Sequence, residues 1–221
     1  ETVINHCKEK LTDANAFEKY IRIFKEQETP ENRKCVGDNI YDVVGNAAFK
    51  AHKAINEEAG KKGVSPKDYS TTLLLAICKK FDFGWFVASF WVGDGAMCIY
   101  DKERQYFKLL GTPDGGEYAG QTRFLTMSEI FSDPKSFYSR LKFSIEDDFT
   151  ALILMSDGIS DPMFETDANL NKIEKWNELW DDINKEVELK DNNLESQHQL
   201  LKWLDFWSAG NHDDRTIAIL Y

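Results

Sequence analysis

The sequence has few of the residues that build zinc sites or disulfide frameworks. Its four cysteines, Cys7, Cys35, Cys78 and Cys98, are scattered and form no CxxC pair. This spacing argues against a zinc site, which needs closely paired cysteines followed by further cysteines or histidines. Cys78 and Cys98 lie in apolar, strand-like runs, which predicts buried thiols. The whole pattern is typical of a reducing, intracellular compartment, so we predict a cytoplasmic protein.

The sequence also lacks a long apolar run and an excess of basic residues. No run approaches the ~18 residues that a membrane span needs, and the longest, at residues 72–78, has the length of a strand. We therefore predict no membrane partner. The 27 basic and 38 acidic residues give a net charge of −11, which disfavours nucleic acid as a partner. The acidic excess has two interpretations: ordinary solubility, or carboxylates that converge and need cations.

The N-terminus is unusual for a complete protein. The chain starts at Glu1 rather than Met, inside a helical pattern formed by Val3, Ile4, Cys7 and Leu11. No signal peptide is visible. We expect the sequence to be a fragment.

Two helices are predicted before the first strands. Apolar residues spaced by three and four predict a helix over residues 1 to about 28. Pro30 and its polar neighbours are expected to break it. A second apolar stripe predicts a helix from about residue 37 to 59, ended by the glycines of residues 60–63.

Strand patterns dominate the middle of the chain. Residues 70–109 contain four short runs rich in β-branched and aromatic residues, which predict an antiparallel meander. Residues 140–145 and 149–156 predict a further strand pair, and residues 214–221 predict a closing strand.

Helices are predicted to resume after Pro162, in an insert from about residue 165 to 207. Its four tryptophans form two pairs spaced by four residues, which indicates helix packing more than a ligand cage. They are Trp176, Trp180, Trp203 and Trp207. The insert is either part of the core or a substrate-facing flap, and its regular spacing favours the core. These patterns together predict one α+β domain with antiparallel sheets and helices packed outside.

Acidic residues stand at the ends of three predicted strands. They are Asp94, Asp157 with Asp161, and Asp213 with Asp214. If these ends meet, carboxylates crowd one place, and one of them must hold a proton unless a cation lies among them. Mg²⁺ and Mn²⁺ prefer such oxygen ligands and can activate water. Each aspartate alone is also a common turn residue, so only the set is informative.

In this order the motifs resemble the metal-dependent serine/threonine protein phosphatases of type 2C. They are Ser70-Thr71-Thr72, Gly93-Asp94-Gly95, Ser156-Asp157-Gly158 with Asp161, and Asp213-Asp214-Arg215-Thr216. Residues 115–126 resemble a bacterial branch of the family. The resemblance covers residues 1–221. It implies a single phosphatase-like domain, an antiparallel β-sandwich flanked by helices in four layers, α-β-β-α.

The resemblance also implies a reaction and a set of ligands. The reaction is hydrolysis of phosphoserine and phosphothreonine in proteins by a metal-activated water, with two or three Mg²⁺ or Mn²⁺ ions. Asp157 and Asp213 resemble ligands of a binuclear core, and Asp94 and Asp161, with Asp157, resemble ligands of a third ion. The implied partners are a phosphorylated protein substrate and a cognate kinase.

Several positions depart from the family pattern. Asp214 stands where many relatives have Asn, and Gly95 replaces a usual Ser. The bridging Asp-Gly of the first motif, and a substrate-binding arginine, belong upstream of Glu1, so we expect an N-terminally truncated domain without its first strands. His212, beside Asp213, is a weak candidate proton donor, because a loop histidine is more often solvated or a hydrogen-bond partner.

Two alternatives stay open at this point. One is a catalytically inactive binding module, or inactive fragment, that binds a phosphoprotein or kinase. The other is a metal-dependent hydrolase of a small phosphoester. The intact set of Asp94, Asp157, Asp161 and Asp213 favours catalysis, whereas the missing upstream motif favours inactivity of this chain.

Overall fold

The computed structural model describes residues 1–12, 14–114, 122–190, 193–206 and 213–221. The helices are α1 Thr2–Lys10, α2 Ala14–Glu26, α3 Pro30–Ile40, α4 Asn46–Lys62, α5 Glu129–Ser132, α6 Pro134–Ser139, α7 Asp157–Phe164, α8 Ile173–Glu186 and α9 Leu194–Trp203. The strands are β1 Leu73–Phe81, β2 Gly84–Val92, β3 Ala96–Asp101, β4 Tyr106–Gly111, β5 Leu141–Glu146, β6 Ala151–Met155 and β7 Ile217–Leu220. Two antiparallel sheets with flanking helices confirm the predicted α+β class.

Contacts within the chain define two compact units. The first comprises Glu1–Gly93 and Asp114–Asp148, and the second comprises Asp94–Pro113 and Phe149–Tyr221. The first unit contains a sheet of order β1-β2-β5, and the second a sheet of order β4-β3-β6-β7. The single four-layer domain over residues 1–221 stays a prediction.

The strand pairing differs from the sequence prediction in two places. The predicted meander is wrong, because β2 and β3 belong to different sheets. The predicted pairing of residues 140–145 with 149–156 is also wrong, since β5 pairs with β2 while β6 pairs with β3 and β7. An alternating or apolar pattern specifies that a strand forms and which face is buried. It does not specify which strand lies beside it.

Pro30 starts a helix instead of breaking one. The Thr29 hydroxyl accepts the N–H of Asn32 at 3.1 Å, and Pro30 occupies the first helical turn, where its missing N–H costs nothing. The helix predicted from about residue 37 therefore begins earlier than expected, at Pro30. The predicted helix over 1–28 is in fact two helices, α1 and α2.

A π-helical turn, Tyr41–Gly45, joins α3 to α4. Glycine suits its last position, because a Cβ on Gly45 would lie 2.9 Å from the Phe137 ring. Helix α4 ends where predicted: Gly63 adopts a left-handed conformation, with φ of 67°, which glycine tolerates without a Cβ clash.

The core of the first unit lies between the N-terminal helices and its sheet. Ile21 of α2 and Phe86 and Phe90 of β2 are almost fully buried in one cluster. The rings of Phe17 and Phe86 meet edge to face, with centroids 5.2 Å apart. Aromatic pairs of this geometry add to the apolar burial that stabilises the unit.

The core of the second unit is built around tryptophan. Trp176 is 0% exposed, donates its indole N–H to the Leu170 carbonyl at 2.8 Å, and packs on Phe164. Trp180 and Trp203 are also buried in this cluster. The prediction that these side chains pack in a core is confirmed for these three, and Trp207 lies outside the described residues.

Two further predictions concern cysteines and membranes. Cys98 is buried as predicted, whereas Cys78 is only half-buried. Burial raises the pKa of the Cys98 thiol, and it raises the pKa of Cys78 to about 11. Within the described part of the chain, no helix combines the length and the apolar character that a bilayer span requires.

Replacing Trp176 with Ala should lower the free energy of unfolding by about 3–5 kcal/mol, since the substitution leaves a cavity and an unpaired Leu170 carbonyl. Urea denaturation of both variants would measure this change in the free energy of unfolding. Leu201→Ala is the control, because Leu201 is 64% exposed and should change stability by no more than about 0.5 kcal/mol. Equal losses for both variants would contradict the assigned core.

Candidate functional site

Asp157 stands two residues after the end of β6, an inner strand of the second unit's sheet. Strand β6 lies between β3 and β7, and after Ser156 the chain enters α7 with Asp157 as its first residue. Helices were predicted to resume only after Pro162, but α7 begins before that proline and contains it. A carboxylate is favourable here, because the first turn of a helix carries partial positive charge. Its Oδ1 accepts the N–H of Gly158 at 2.9 Å.

Asp161 lies one helical turn after Asp157. The spacing of four residues places both carboxylates on one side of α7. Asp157 is half-buried and Asp161 is exposed. The helix therefore presents two acids from the same face.

Strand register brings Asp94 to the same end of the sheet. Ala96 of β3 pairs with Met155 of β6 in antiparallel register. Asp94 precedes Ala96 by two residues and Asp157 follows Met155 by two, so both extend beyond the same end of the paired strands. Asp94 is half-buried in the bend before β3.

The segment before β7 brings in Asp213. Ser156 makes three hydrogen bonds to this segment. Its hydroxyl accepts the Thr216 N–H at 3.0 Å and donates to the Asp214 carbonyl at 3.2 Å. The Ser156 N–H also donates to the Thr216 carbonyl at 3.0 Å. Asp213 and Asp214 are exposed, and His212 lies outside the described residues.

Gly158 allows the two segments to approach this closely. A Cβ at this position would lie 2.4 Å from the Asp214 carbonyl oxygen, a distance that no side chain can adopt without moving the backbone. The glycine in the Ser156-Asp157-Gly158 motif is thus explained by the backbone of residue 214.

The carboxylates perturb one another. The pKa of Asp157 is raised by desolvation first, then by the charge of Asp94, with smaller contributions from Asp213 and Asp161. The pKa of Asp161 is raised by desolvation and then by Asp167, Asp94 and Asp213. The ionised carboxylates at this end of the sheet therefore repel one another.

This donor set has the chemistry that a hard divalent cation requires. Carboxylates that repel one another are stabilised by a cation, and Mg²⁺ and Mn²⁺ bind such oxygens together with water. Among the described residues, however, no three His, Cys, Asp or Glu side chains form a compact group that would hold a metal ion. The four predicted aspartates are electrostatic neighbours at one end of the sheet.

Arg215 is the residue of this site to which the sequence assigned no role. Its Nε donates to the Gly158 carbonyl at 3.3 Å, and its Nη1 donates to the Leu204 carbonyl at 3.0 Å. The guanidinium also lies 4.1 Å from the centre of the Phe206 ring. One signal was available in the sequence: Pro162 stands four residues after Gly158 and cannot donate to its carbonyl.

A separate cavity of about 1320 Å³ lies within the first unit. Its lining includes His52, Lys67, Arg123 and Asp133. The sequence did not indicate it, since these residues lie far apart in the chain and form no motif. The four predicted aspartates all belong to the second unit.

Comparison with known families gives one finding about the whole chain. The sequence model described as Protein phosphatase 2C matches residues 12–205. The matched range includes Asp94, Asp157 and Asp161 and ends before Asp213. No curated protein matches the chain.

Replacing Gly158 with Ala should lower the free energy of unfolding by about 1–3 kcal/mol, because the methyl group would push the Asp214 backbone away. We expect the same change to weaken Mn²⁺ binding. Chemical denaturation and calorimetric titration with Mn²⁺ would test both. Gly60→Ala is the matched control: Gly60 lies in α4 with nothing within 4 Å of an added Cβ, so it should be neutral or stabilising by up to about 1 kcal/mol.

Replacing Asp161 with Asn should raise the thermal midpoint of the metal-free protein at pH 7. Because the pKa of Asp161 is higher in the folded state than its usual value of 3.8, ionising this carboxylate costs more free energy in the folded than in the unfolded chain. The ionised carboxylate therefore lowers the stability of the fold as the pH rises above 3.8. The gain should shrink as pH falls toward that value. In Mn²⁺ the order should reverse, since the variant loses a ligand.

Thermal scans in chelator and in Mn²⁺ would show both effects. Asp181→Asn is the control, because Asp181 pairs with Lys102 at 2.5 Å and its loss should leave the midpoint unchanged or slightly lower. A lower midpoint for Asp161→Asn in chelator would contradict the assigned repulsion.

Proposed function

Because the chain belongs to the protein phosphatase 2C family, we propose that it is a metal-dependent phosphatase of phosphoserine and phosphothreonine in proteins. The observation that carries this proposal is that Asp94, Asp157, Asp161 and Asp213 are electrostatic neighbours at one end of the second sheet. These acids stand at the positions that the family resemblance implies.

The four aspartates would hold Mg²⁺ or Mn²⁺. Asp157 and Asp213 would bind the core ions, and Asp94 and Asp161 would join Asp157 at a further ion. A bound divalent cation supplies positive charge for the phosphoryl oxygens and an activated water. The family resemblance implies two or three ions.

The chain's own groups orient this site. The first turn of α7 aims Asp157 from a rigid helix, and the Gly158 N–H fixes one of its oxygens. Ser156 joins β6 to the segment that carries Asp213. In this arrangement the acids serve as ligands, and none of them acts as a nucleophile. We propose a phosphorylated protein as the substrate and a cognate kinase as a further partner.

The inactive binding module is not favoured by the family match. A chain that only binds phosphoproteins has no need for four carboxylates that repel one another. A small-phosphoester hydrolase would use the same acids, so the assay below includes a small ester beside the peptide.

Hydrolysis of a phosphothreonine peptide should require Mn²⁺ and be lost in chelator. Asp157→Asn should reduce kcat/KM by about 100-fold or more. Mutating a residue that only hydrogen-bonds to a metal ligand already lowers metal affinity or activity by about 10–100-fold. Asp94→Ala should retain the fold and the core ions and lower the rate less. Asp181→Asn, on α8, is the matched control and should leave the rate unchanged.

Phosphate release from the peptide and from p-nitrophenyl phosphate measures these rates. Because the resemblance implies an Asp-Gly upstream of Glu1, the assay includes a form extended upstream. Near-normal turnover by Asp157→Asn would reject the site. Turnover of the small ester alone would reject a protein substrate. Mn²⁺ binding without turnover in either form would support the binding module.

A further inference from the structure

Helix α7 contains a proline that removes one of its own hydrogen bonds. In an α-helix each carbonyl accepts the N–H four residues later, and the partner of the Gly158 carbonyl would be residue 162. Pro162 has no N–H. The freed carbonyl belongs to the residue next to Asp157, at the candidate metal site.

Arg215 supplies the missing donor. Its Nε lies 3.3 Å from the Gly158 oxygen, so a charged guanidinium takes the place of the backbone N–H. Arg215 is half-buried, and its position in sequence is two residues after Asp213.

The same guanidinium is anchored on its other side. Nη1 donates to the carbonyl of Leu204, the residue that caps the C-terminus of α9, where a cation is favourable at the negative end of the helix. The Phe206 ring lies 4.1 Å from the guanidinium carbon, within the range of a cation–π contact. Three groups thus fix the orientation of one side chain.

We propose that Arg215 is a positioning residue that sets the separation of Asp157 and Asp213 and thereby the affinity of the site for divalent cations. The inference rests on the proposed function in one respect, that these acids bind the metal. Arg215 joins the first turn of α7 to the segment that carries Asp213, while the absent Cβ of Gly158 leaves room for that approach. Without the guanidinium, the described hydrogen bonds that join the two segments come from Ser156 and from the pairing of β6 with β7, and those bonds do not involve a residue of α7.

A lysine cannot do the same. The planar guanidinium points two donors in fixed directions, toward Gly158 and toward Leu204, whereas an ammonium is a single flexible point charge. The Arg215→Lys variant would retain the charge but reach one carbonyl at a time. Arginine at this position is therefore explained by geometry and charge together.

The first test measures Mn²⁺ binding by calorimetric titration, beside the thermal midpoint in chelator. Arg215→Met should weaken Mn²⁺ binding by about 10–100-fold, the range for groups that orient metal ligands. Arg215→Lys should fall between Arg215→Met and the unaltered chain. Arg104→Met is the control, because Arg104 is 53% exposed and pairs with Asp101 in the same unit; it should not change Mn²⁺ affinity.

The second test uses Pro162→Ala. Alanine restores the N–H that the Gly158 carbonyl lacks, so Arg215→Met should weaken Mn²⁺ binding less in this background than alone. Equal losses in both backgrounds would overturn the inference. The inference would also be overturned if Arg215→Met, or the better folded Arg215→Lys, lowered the thermal midpoint and left the Mn²⁺ affinity unchanged.

Failure of the proposed function gives a different result. If the unaltered chain and its upstream-extended form do not bind Mn²⁺, the metal-dependent function fails and the inference fails with it. If they bind Mn²⁺ and the Arg215 variants bind equally well, only the inference is overturned.

Discussion

The candidate site depends on strand β6 having hydrogen-bonded neighbours on both of its edges. On one side Met155 pairs with Ala96 of β3, and on the other it pairs with Ile217 of β7. Both neighbours run antiparallel to β6, so the chain enters each of them where it leaves β6. Asp94, Asp157 and Asp213 reach one end of the sheet for this reason. A strand at the edge of the sheet would have collected acids from only one neighbour.

Bringing these carboxylates together costs free energy through electrostatic repulsion and desolvation, and the local structure offsets this cost only in part. Desolvation and neighbouring acids raise the pKa of Asp157 and Asp161, while the Gly158 N–H lowers that of Asp157. The positive end of α7 acts in the same favourable direction. The remaining repulsion is the free energy that a divalent cation would relieve, so fold stability and metal binding should be linked in this protein.

The sequence was most informative where short patterns carry local meaning. Short runs rich in β-branched and aromatic residues located the strands, and tryptophan spacing identified Trp176 and Trp180 as core residues. The sequence did not predict which strands pair, because the pattern of one strand carries no information about the strand beside it. The wrongly predicted pairing of β5 with β6 is an example. Pro30 was misread because proline both breaks helices and starts them, and Thr29 decides between the two.

The residues of the candidate site likewise differ in whether the sequence could indicate them. Asp94, Asp157, Asp161 and Asp213 could be proposed because motifs in a fixed order indicated them, and the register of β3, β6 and β7 explains why they are near one another. Arg215 was not proposed, since it contacts a backbone carbonyl and its one sequence signal is a proline in another segment, Pro162. A residue whose partners are backbone atoms leaves almost no mark on side-chain patterns.

The bond between Arg215 and Gly158 joins residues 57 positions apart. A ribosome that adds roughly 5–20 residues per second needs about 3–11 s to make that stretch. Until the interval ends, the chain lacks the Arg215 donor for the Gly158 carbonyl and the β7 neighbour of β6. Asp213 is made only at the end of this interval, so the acidic cluster cannot be completed before it.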